Sequence, residues 1–270
     1  MRVKTIDEEI FKKFKEEKMF ASKNLGQNFL KNQEVLCFIE SYCRKRDIRS
    51  VVEIGGGTGA LTKLLCEAGI RVKVYELDRK YAELLNCLKE KYDKLEVVVG
   101  DFLKVSVGFI GNGDSVVANI PYNITTDILE KLYCDENIPK YSLLMVQKEF
   151  AKRIVKKENI SVLNSFLSVF CDVQIARYVS KNDFFPRPKV DSALIGISPS
   201  LMVDAEKRNL YLLFLKKIFS SKRKRISKSL KVHFGVVDVC PFSDKRVEQI
   251  SPANLFEVFE FVYDLKGSSL

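Results

Sequence analysis

The sequence predicts an α/β fold, a mostly parallel sheet with helices on both faces, followed by a small helical C-terminal domain. Three observations predict it. Apolar runs rich in Val and Ile recur at residues 50–54, 72–77, 95–99, 115–119 and 141–146. Helical stretches at 60–68, 80–91 and 126–132 separate most of them. Strands that are apolar throughout are buried on both faces, the habit of a parallel sheet. Near Ser198-Pro-Ser200 the pattern changes, and beyond it the chain reads as helix only.

In chain order, Ile6, Ile10 and Phe14 repeat every four residues beside Lys12, Lys13 and Lys15. That spacing predicts a short amphipathic helix within a basic N-terminal extension, residues 1–22. Asn24-Leu-Gly-Gln-Asn-Phe-Leu30 follows as a polar loop with buried anchors. Val35, Phe38, Ile39 and Tyr42 mark the apolar face of a helix that the charged residues 44–49 close. The alternating strands and helices then fill a domain expected to span 23–199. Residues 174–179 and 192–197 flank Phe184-Phe-Pro-Arg-Pro188 and are expected to pair antiparallel at a sheet edge. Helices at 211–219, 225–234 and 252–263 form a domain expected to span 200–270.

At 270 residues and 46% hydrophobic content, the chain suits one full α/β domain with an appendage. No apolar run reaches the length of a membrane span, and residues 1–18 lack a signal-peptide core. A soluble, cytoplasmic monomer with no membrane partner is expected. Forty-five Lys+Arg against 35 Asp+Glu give a formal charge of +10. An enzyme of small neutral metabolites has no need of that excess. A polyanionic partner accounts for it, because each neutralised phosphate releases condensed counterions. The seven cysteines, at 37, 43, 66, 87, 134, 171 and 240, have no zinc or redox spacing and read as reduced core thiols. His233 is the one histidine, which argues against a His-dependent triad or a His-rich metal site; no metal is expected.

Val51-Val-Glu-Ile-Gly-Gly-Gly-Thr-Gly-Ala60 follows a strand and opens a helix. Gly55, Gly57 and Gly59 let the backbone turn sharply and approach a ligand without a Cβ clash. Alone, the motif also fits a dinucleotide fingerprint. Its acidic partners favour S-adenosylmethionine. Glu53 lies two residues before the first glycine, where it can orient the loop or, through water, the cationic amino-acid end of that cofactor. Glu76 ends the second strand, where its carboxylate can accept from both ribose hydroxyls. Asp101 ends the third, where it can accept from the adenine amine with Phe102 beside the ring. The class is therefore a Rossmann-like class I methyltransferase.

Val117-Ala-Asn-Ile-Pro-Tyr122 ends the fourth strand, beside the cofactor crevice. An exocyclic adenine amine is a poor nucleophile, since its lone pair is delocalised into the ring. Hydrogen bonds accepted from its two hydrogens, by the Asn119 side-chain oxygen and a nearby main-chain carbonyl, favour a pyramidal nitrogen. Pro121 fixes φ and removes a donor, leaving the carbonyls of the turn free. Tyr122 offers a flat face for a flipped base. The methyl donor is already activated, so alignment is the main catalytic task.

Together these motifs resemble the rRNA adenine N6,N6-dimethyltransferases of the KsgA type. The resemblance runs from about Lys23 to the C-terminus. It rests on Leu25-Gly-Gln-Asn-Phe-Leu30, Glu53-Ile-Gly-Gly-Gly-Thr-Gly59, Glu76, Gly100-Asp-Phe102, Asn119-Ile-Pro-Tyr122, Gln147-Lys-Glu-Phe-Ala-Lys-Arg153 and Phe184-Phe-Pro-Arg-Pro-Lys-Val-Asp-Ser192. It implies that Gln27, Asn28 and Leu30 sit at the methionine end of the cofactor. It implies main-chain contact from Gly55, and Phe184 stacking on the target adenine opposite Tyr122, with Phe185 as the alternative stacker. It implies dimethylation of two adjacent adenosines in a small-subunit rRNA hairpin, on immature small ribosomal subunits. Residues 1–22 and the glycine-rich Gly108-Phe-Ile-Gly-Asn-Gly113 depart from the family pattern.

Ser220-Ser-Lys-Arg-Lys-Arg-Ile-Ser-Lys-Ser-Leu-Lys231 carries no acidic residue. Lys224, Lys228 and Lys231 are expected on one helical face, with Ile226 and Leu230 turned into the small domain. Lys222, Arg223, Lys224, Arg225, Lys228 and Lys231 are the candidate RNA contacts. Two alternatives stand beside the leading one: a large-subunit rRNA methyltransferase of the macrolide-resistance type, and a non-catalytic nucleic-acid-binding factor on the same fold.

Overall fold

The computed structural model describes residue 22 and residues 25–267, apart from 106, 107, 109, 112, 157–159, 238 and 239. The helix expected around Ile6, Ile10 and Phe14 lies outside the described residues. The chain begins with β1 (Phe29–Leu30), α1 (Gln33–Lys45), β2 (Ser50–Ile54), α2 (Ala60–Glu67), β3 (Arg71–Glu76), α3 (Arg79–Lys89) and β4 (Leu95–Val99). It continues with β5 (Ser115–Asn119), α4 (Thr125–Cys134), β6 (Ser142–Gln147), α5 (Lys148–Lys156), α6 (Val162–Phe170), β7 (Cys171–Val179), β8 (Phe184–Phe185) and β9 (Ser192–Pro199). Three helices close it: α7 (Ala205–Phe219), α8 (Ile226–Phe234) and α9 (Pro252–Lys266).

Seven strands form one sheet in the order β4-β3-β2-β5-β6-β9-β7. From β4 to β6 all neighbours are parallel, and β9 runs antiparallel to both β6 and β7. The sheet therefore matches the α/β class. The expected antiparallel pair is present, but β9 lies inside the sheet and only β7 is an edge. The order reverses between β2 and β5, so their carboxyl ends border an open crevice.

Helices α5 and α6 were not among the expected elements. In α6 the apolar residues Val162, Leu163, Phe166, Leu167 and Phe170 share one face, but the opposite face is the uncharged Asn164, Ser165 and Ser168, two of them buried, so no charged solvent side marks the helix. It packs against α7, α9 and β7, at the joint between sheet and helical layer. Residue 200, where a boundary was expected, lies between β9 and α7. The helices beyond it nevertheless share one apolar cluster with the sheet, running from Val116 and Ile195 through Phe166 and Phe170 to Tyr211 and Phe259. The Tyr211 ring lies 5.1 Å from both Phe256 and Phe259 and 5.7 Å from Phe170. Most of the thiols are buried or half-buried as expected, and burial pushes those of Cys43, Cys66, Cys134 and Cys171 up to about 12. Cys87 is the exception and is exposed. No described helix is long and apolar enough to cross a membrane.

A buried cation fastens α7 to the end of α4. Arg208 is 3% exposed; its Nε donates to Tyr133 O at 2.9 Å, and its other nitrogens donate to the carbonyls of Val203 and Asp135. Desolvation lowers its pKa from the ordinary value. Asn209 Nδ2 donates to Cys134 O at 2.9 Å, and Lys216 Nζ lies 2.6 Å from Glu130 Oε2. Arg208→Ala strips two buried carbonyls and a half-buried one of their donor and is expected to cost about 3 kcal/mol or more of unfolding free energy. Urea unfolding checks this; an unchanged midpoint would show that the staple is dispensable.

Candidate active site

The crevice opens into a cavity lined by the ends of β2 to β5 and by the strap of residues 25–30 that crosses it. The three glycines of the loop do different work there. Gly55 has φ +77° and donates its N–H to Tyr75 O at 2.8 Å. A Cβ on it would meet nothing within 4 Å, so its backbone faces open space. Gly57, at φ +52°, would put a Cβ 2.8 Å from the Phe29 ring, and Gly59, at φ +75°, one 2.7 Å from Leu88. Close approach of a ligand, expected of all three, applies to Gly55. The other two are held to glycine by the backbone and by packing.

Two buried carboxylates brace this loop. Glu53 accepts from Thr62 Oγ1 at 2.7 Å, tying β2 to the first turn of α2. Desolvation pushes its pKa up to about 8, against the Thr62 hydrogen bond. Of its two expected roles, orienting the loop is the one this bond serves. Glu76 accepts from Gly57 N–H and Asp78 N–H, each at 2.8 Å, one on each oxygen. Burial raises its pKa, opposed by those two amides. The Leu77 amide also lowers it, and of the four lone-pair sites of the carboxylate not all are filled. Asp101 is half-buried; one of its oxygens accepts from Leu103 N–H at 3.0 Å. Phe102 is buried against Tyr75, ring centroids 5.3 Å apart, and lines the cavity.

The strap and the catalytic turn hold each other. Asn119 Nδ2 donates to Asn28 O at 2.8 Å, which leaves Asn119 Oδ1 as the acceptor end of the amide. Asn28 Nδ2 donates to Gly26 O at 3.0 Å. Gln27 Oε1 accepts from Ser22 N–H at 2.7 Å, and its Nε2 donates to Asp78 Oδ2 at 3.3 Å. In the turn, Pro121 O accepts from Ile124 N–H at 3.3 Å and Tyr122 O from Thr125 Oγ1 at 3.2 Å. Ile120 O has no hydrogen-bond partner among the described residues. Pro121 therefore leaves free the carbonyl before it, not its own. The Tyr122 hydroxyl lies 2.6 Å from Ser192 Oγ.

The position of Phe184 corrects an expectation. It is 1% exposed, inside the apolar cluster of Leu30, Leu36, Ile39, Val179 and Leu194, and neither it nor Phe185 lines the cavity. Phe185 is 46% exposed. The reason is strand parity. In the antiparallel pair of β1 and β8, Leu30 faces Phe184 and Phe29 faces Phe185, and successive side chains point to opposite faces. Phe185 thus shares a face with Phe29, which lies over the glycine loop. This ribbon was not foreseen; two residues are too short to show a period.

Far from the crevice, the basic segment reverses the chain between α7 and α8. Lys222, Arg223, Lys224, Arg225, Lys228 and Lys231 are all exposed, while Ile226 and Leu230 are buried. Lys224 does not share a helix with Lys228 and Lys231, as the spacing suggested. It sits in the turn, where its N–H donates to Ser221 O and its carbonyl accepts from Val247 N–H. Pairing with residues 245–248 delays the helix to Ile226.

Protonation of Glu53 has a measurable consequence. A carboxyl whose folded pKa stands near 8, above its ordinary 4.5, favours the fold below pH 4.5 and loses that contribution as pH rises toward 8. Glu53→Gln keeps an acceptor for Thr62 and cannot ionise. Its unfolding midpoint is expected to gain on the wild type between about pH 5 and 8, and parallel curves would show that Glu53 is not protonated there.

Comparison with known proteins agrees with this geometry. The model of the ribosomal RNA adenine dimethylase family matches residues 19–264. A ribosomal RNA small subunit methyltransferase A from Mycoplasmopsis pulmonis is 39% identical over 228 residues, 83% of this chain and 89% of its own. The crystal structure of a dimethyladenosine transferase from Plasmodium falciparum superposes with a TM-score of 0.68 at 28% identity, covering 88% of this chain and 98% of its own. The 23S rRNA methyltransferase ErmE shares the fold, with a TM-score of 0.64 at 24% identity over 87% of this chain and 99% of its own. A match along nearly the whole chain, over a crevice with a bare glycine backbone and a tethered asparagine, makes this protein a member of the ribosomal RNA adenine dimethylase family, an rRNA adenine dimethyltransferase.

Proposed function

We propose that this enzyme uses S-adenosylmethionine to dimethylate the N6 amines of two adjacent adenosines in a small-subunit rRNA hairpin. The observation that carries the reading is the Asn119 amide. One of its amino hydrogens goes to Asn28 O at 2.8 Å, which orients the amide and leaves its oxygen as an acceptor for a substrate. The small-subunit target is supported by the name of the relative at 39% identity. The immature small subunit as substrate, a monomeric state and a cytoplasmic setting belong to the same proposal.

The cavity suits the cofactor. Gly55 leaves a space that a Cβ would intrude on, and Glu76 keeps unused lone pairs beside it. Glu76 would hold the ribose hydroxyls, and Asp101 the adenine amine, with Phe102 beside the ring. Gln27, Asn28 and Leu30 would lie at the methionine end, with Glu53 bracing the loop. S-adenosylmethionine, when bound, supplies a methyl group on a positively charged sulfur. Asn119 Oδ1 and Ile120 O accept the two amine hydrogens and aim the nitrogen lone pair. Tyr122 gives the base a face. Phe185, exposed on the side of Phe29, replaces Phe184 as the second aromatic. Residues 23–199 carry this chemistry, and residues 200–270 carry the RNA contact. There Lys222, Arg223, Lys224, Arg225, Lys228 and Lys231 neutralise phosphates and set the register that a one-base pocket cannot read.

Glu76→Ala is expected to weaken S-adenosylmethionine binding by roughly 1.5–3 kcal/mol, whereas Asn119→Ala keeps most cofactor affinity and loses methyl transfer. Calorimetry and single-turnover assays separate the two; a fully active Asn119→Ala defeats the mechanism. Phe185→Ala should weaken RNA binding by about 1–3 kcal/mol, and Phe184→Ala should lower stability instead. Replacing Lys222, Arg223, Lys224 and Arg225 with alanine should flatten the salt dependence of subunit binding by up to about 0.7–0.9 log units per lost phosphate contact. An unchanged slope frees the turn from this role. The substrate itself is tested by methylating naked small-subunit rRNA, immature small subunits and large-subunit rRNA side by side. Preference for large-subunit rRNA would transfer the enzyme to the macrolide-resistance type.

A further inference from the structure

Tyr122 is anchored at its far end by a residue that no motif assigns a function. Ser192 is fully buried, and its Oγ is 2.6 Å from the Tyr122 hydroxyl, 70 residues away in the chain. It opens β9 and is gripped on both sides, opposite Gln147 of β6 and Val179 of β7. The residue before it is braced as well. Asp191 O accepts from Lys148 N–H at 3.0 Å, and its carboxylate accepts from Lys181 N–H at 3.1 Å and lies 3.6 Å from Lys148 Nζ. At the near end, Thr125 Oγ1 donates to Tyr122 O at 3.2 Å. The residue is thus held at its main-chain carbonyl and at its ring hydroxyl.

We propose that Ser192 is a positioning residue for methyl transfer, its hydroxyl fixing the axis of the Tyr122 ring against which the target adenine lies. The inference rests on the reading of Tyr122 as the base-facing ring. A tyrosine tethered only at Cα swings about χ1 among staggered wells. Such a swing carries the ring face away from Asn119 Oδ1, the acceptor that must meet the amine of the same base. A hydrogen bond at the hydroxyl closes off those alternatives, since each of them breaks it. Misplacement of reacting groups by about 1 Å can cost roughly a hundredfold in rate. Thus a bond that touches neither substrate nor cofactor has leverage on the chemical step. Ser192 is buried beneath the site, so it exerts that leverage only through Tyr122.

The test is a double-mutant cycle in single-turnover methylation at saturating RNA and S-adenosylmethionine. Ser192→Ala and Tyr122→Phe each remove one hydroxyl and keep the ring. Each is expected to slow transfer about tenfold or more, with the double variant no slower than the slower single one. Cofactor affinity should stay at the wild-type value. Quenching of 2-aminopurine placed at the target position should fall in step, a stacking signal independent of turnover. Tyr122→Phe breaks the bond from outside the sheet, so the cycle keeps its force even if Ser192→Ala fails to fold. Wild-type rates in both single variants, or losses that multiply in the double, would overturn the proposal. A wild-type enzyme that neither methylates nor quenches would instead overturn the reading of the site.

Discussion

Strand order reverses between β2 and β5, so the connections leaving their carboxyl ends turn away from each other. Every group discussed at the site is placed by this one constraint. The glycine loop leaves Ile54, the acidic ends follow on β3 and beyond β4, and Asn119 closes β5. Such a gap would be an open trough without the strap of residues 25–30. Asn28 binds that strap to the catalytic turn, and Phe29 lays a ring over Gly57. The strap thus makes one pocket from two halves.

The electrostatics follow from that enclosure. Glu53 and Glu76 are taken out of water, which raises the pKa of both. Their surroundings then divide them. Glu53 has a single hydroxyl partner, and Glu76 has two main-chain amides, from Gly57 and Asp78. A carboxylate fed by backbone amides bears its charge more easily than one fed by a neutral hydroxyl. The two acids therefore suit different tasks. Glu53 is a brace inside the fold, and Glu76 is an acceptor at the edge of the cavity.

The helical layer is joined to this pocket and does not hang from it. Arg208 and Asn209 occupy the last carbonyls of α4, whose first residue directly follows the catalytic turn. The far end of α7 carries the basic turn, which residues 245–248 hold in place. Shared core continues across the junction. The exposed basic turn is thereby fixed relative to the crevice.

Much of this was legible in local sequence. Apolar runs marked the strands, because a buried parallel strand cannot alternate. The glycines, Glu76, Asp101 and Asn119-Ile-Pro-Tyr122 stood at strand ends, where spacing alone places them at the crevice. Helices α5 and α6 went unread although both carry an apolar face; in α6 the opposite side is the uncharged Asn164, Ser165 and Ser168, which announce no solvent face. The finer parts of the site depend on contacts that no window of sequence contains. Asn28 and Asn119 are 91 residues apart, and Tyr122 and Ser192 are 70 apart. Phe184 and Phe185 are identical in type and adjacent, so sequence could not choose between them. Pairing with Phe29 and Leu30 did, because the pleat sends neighbours to opposite faces. Local periodicity and strand-end chemistry determined the fold class and the reacting groups. Only the return of distant segments decided which end of the Asn119 amide is tied to the strap and which phenylalanine meets solvent.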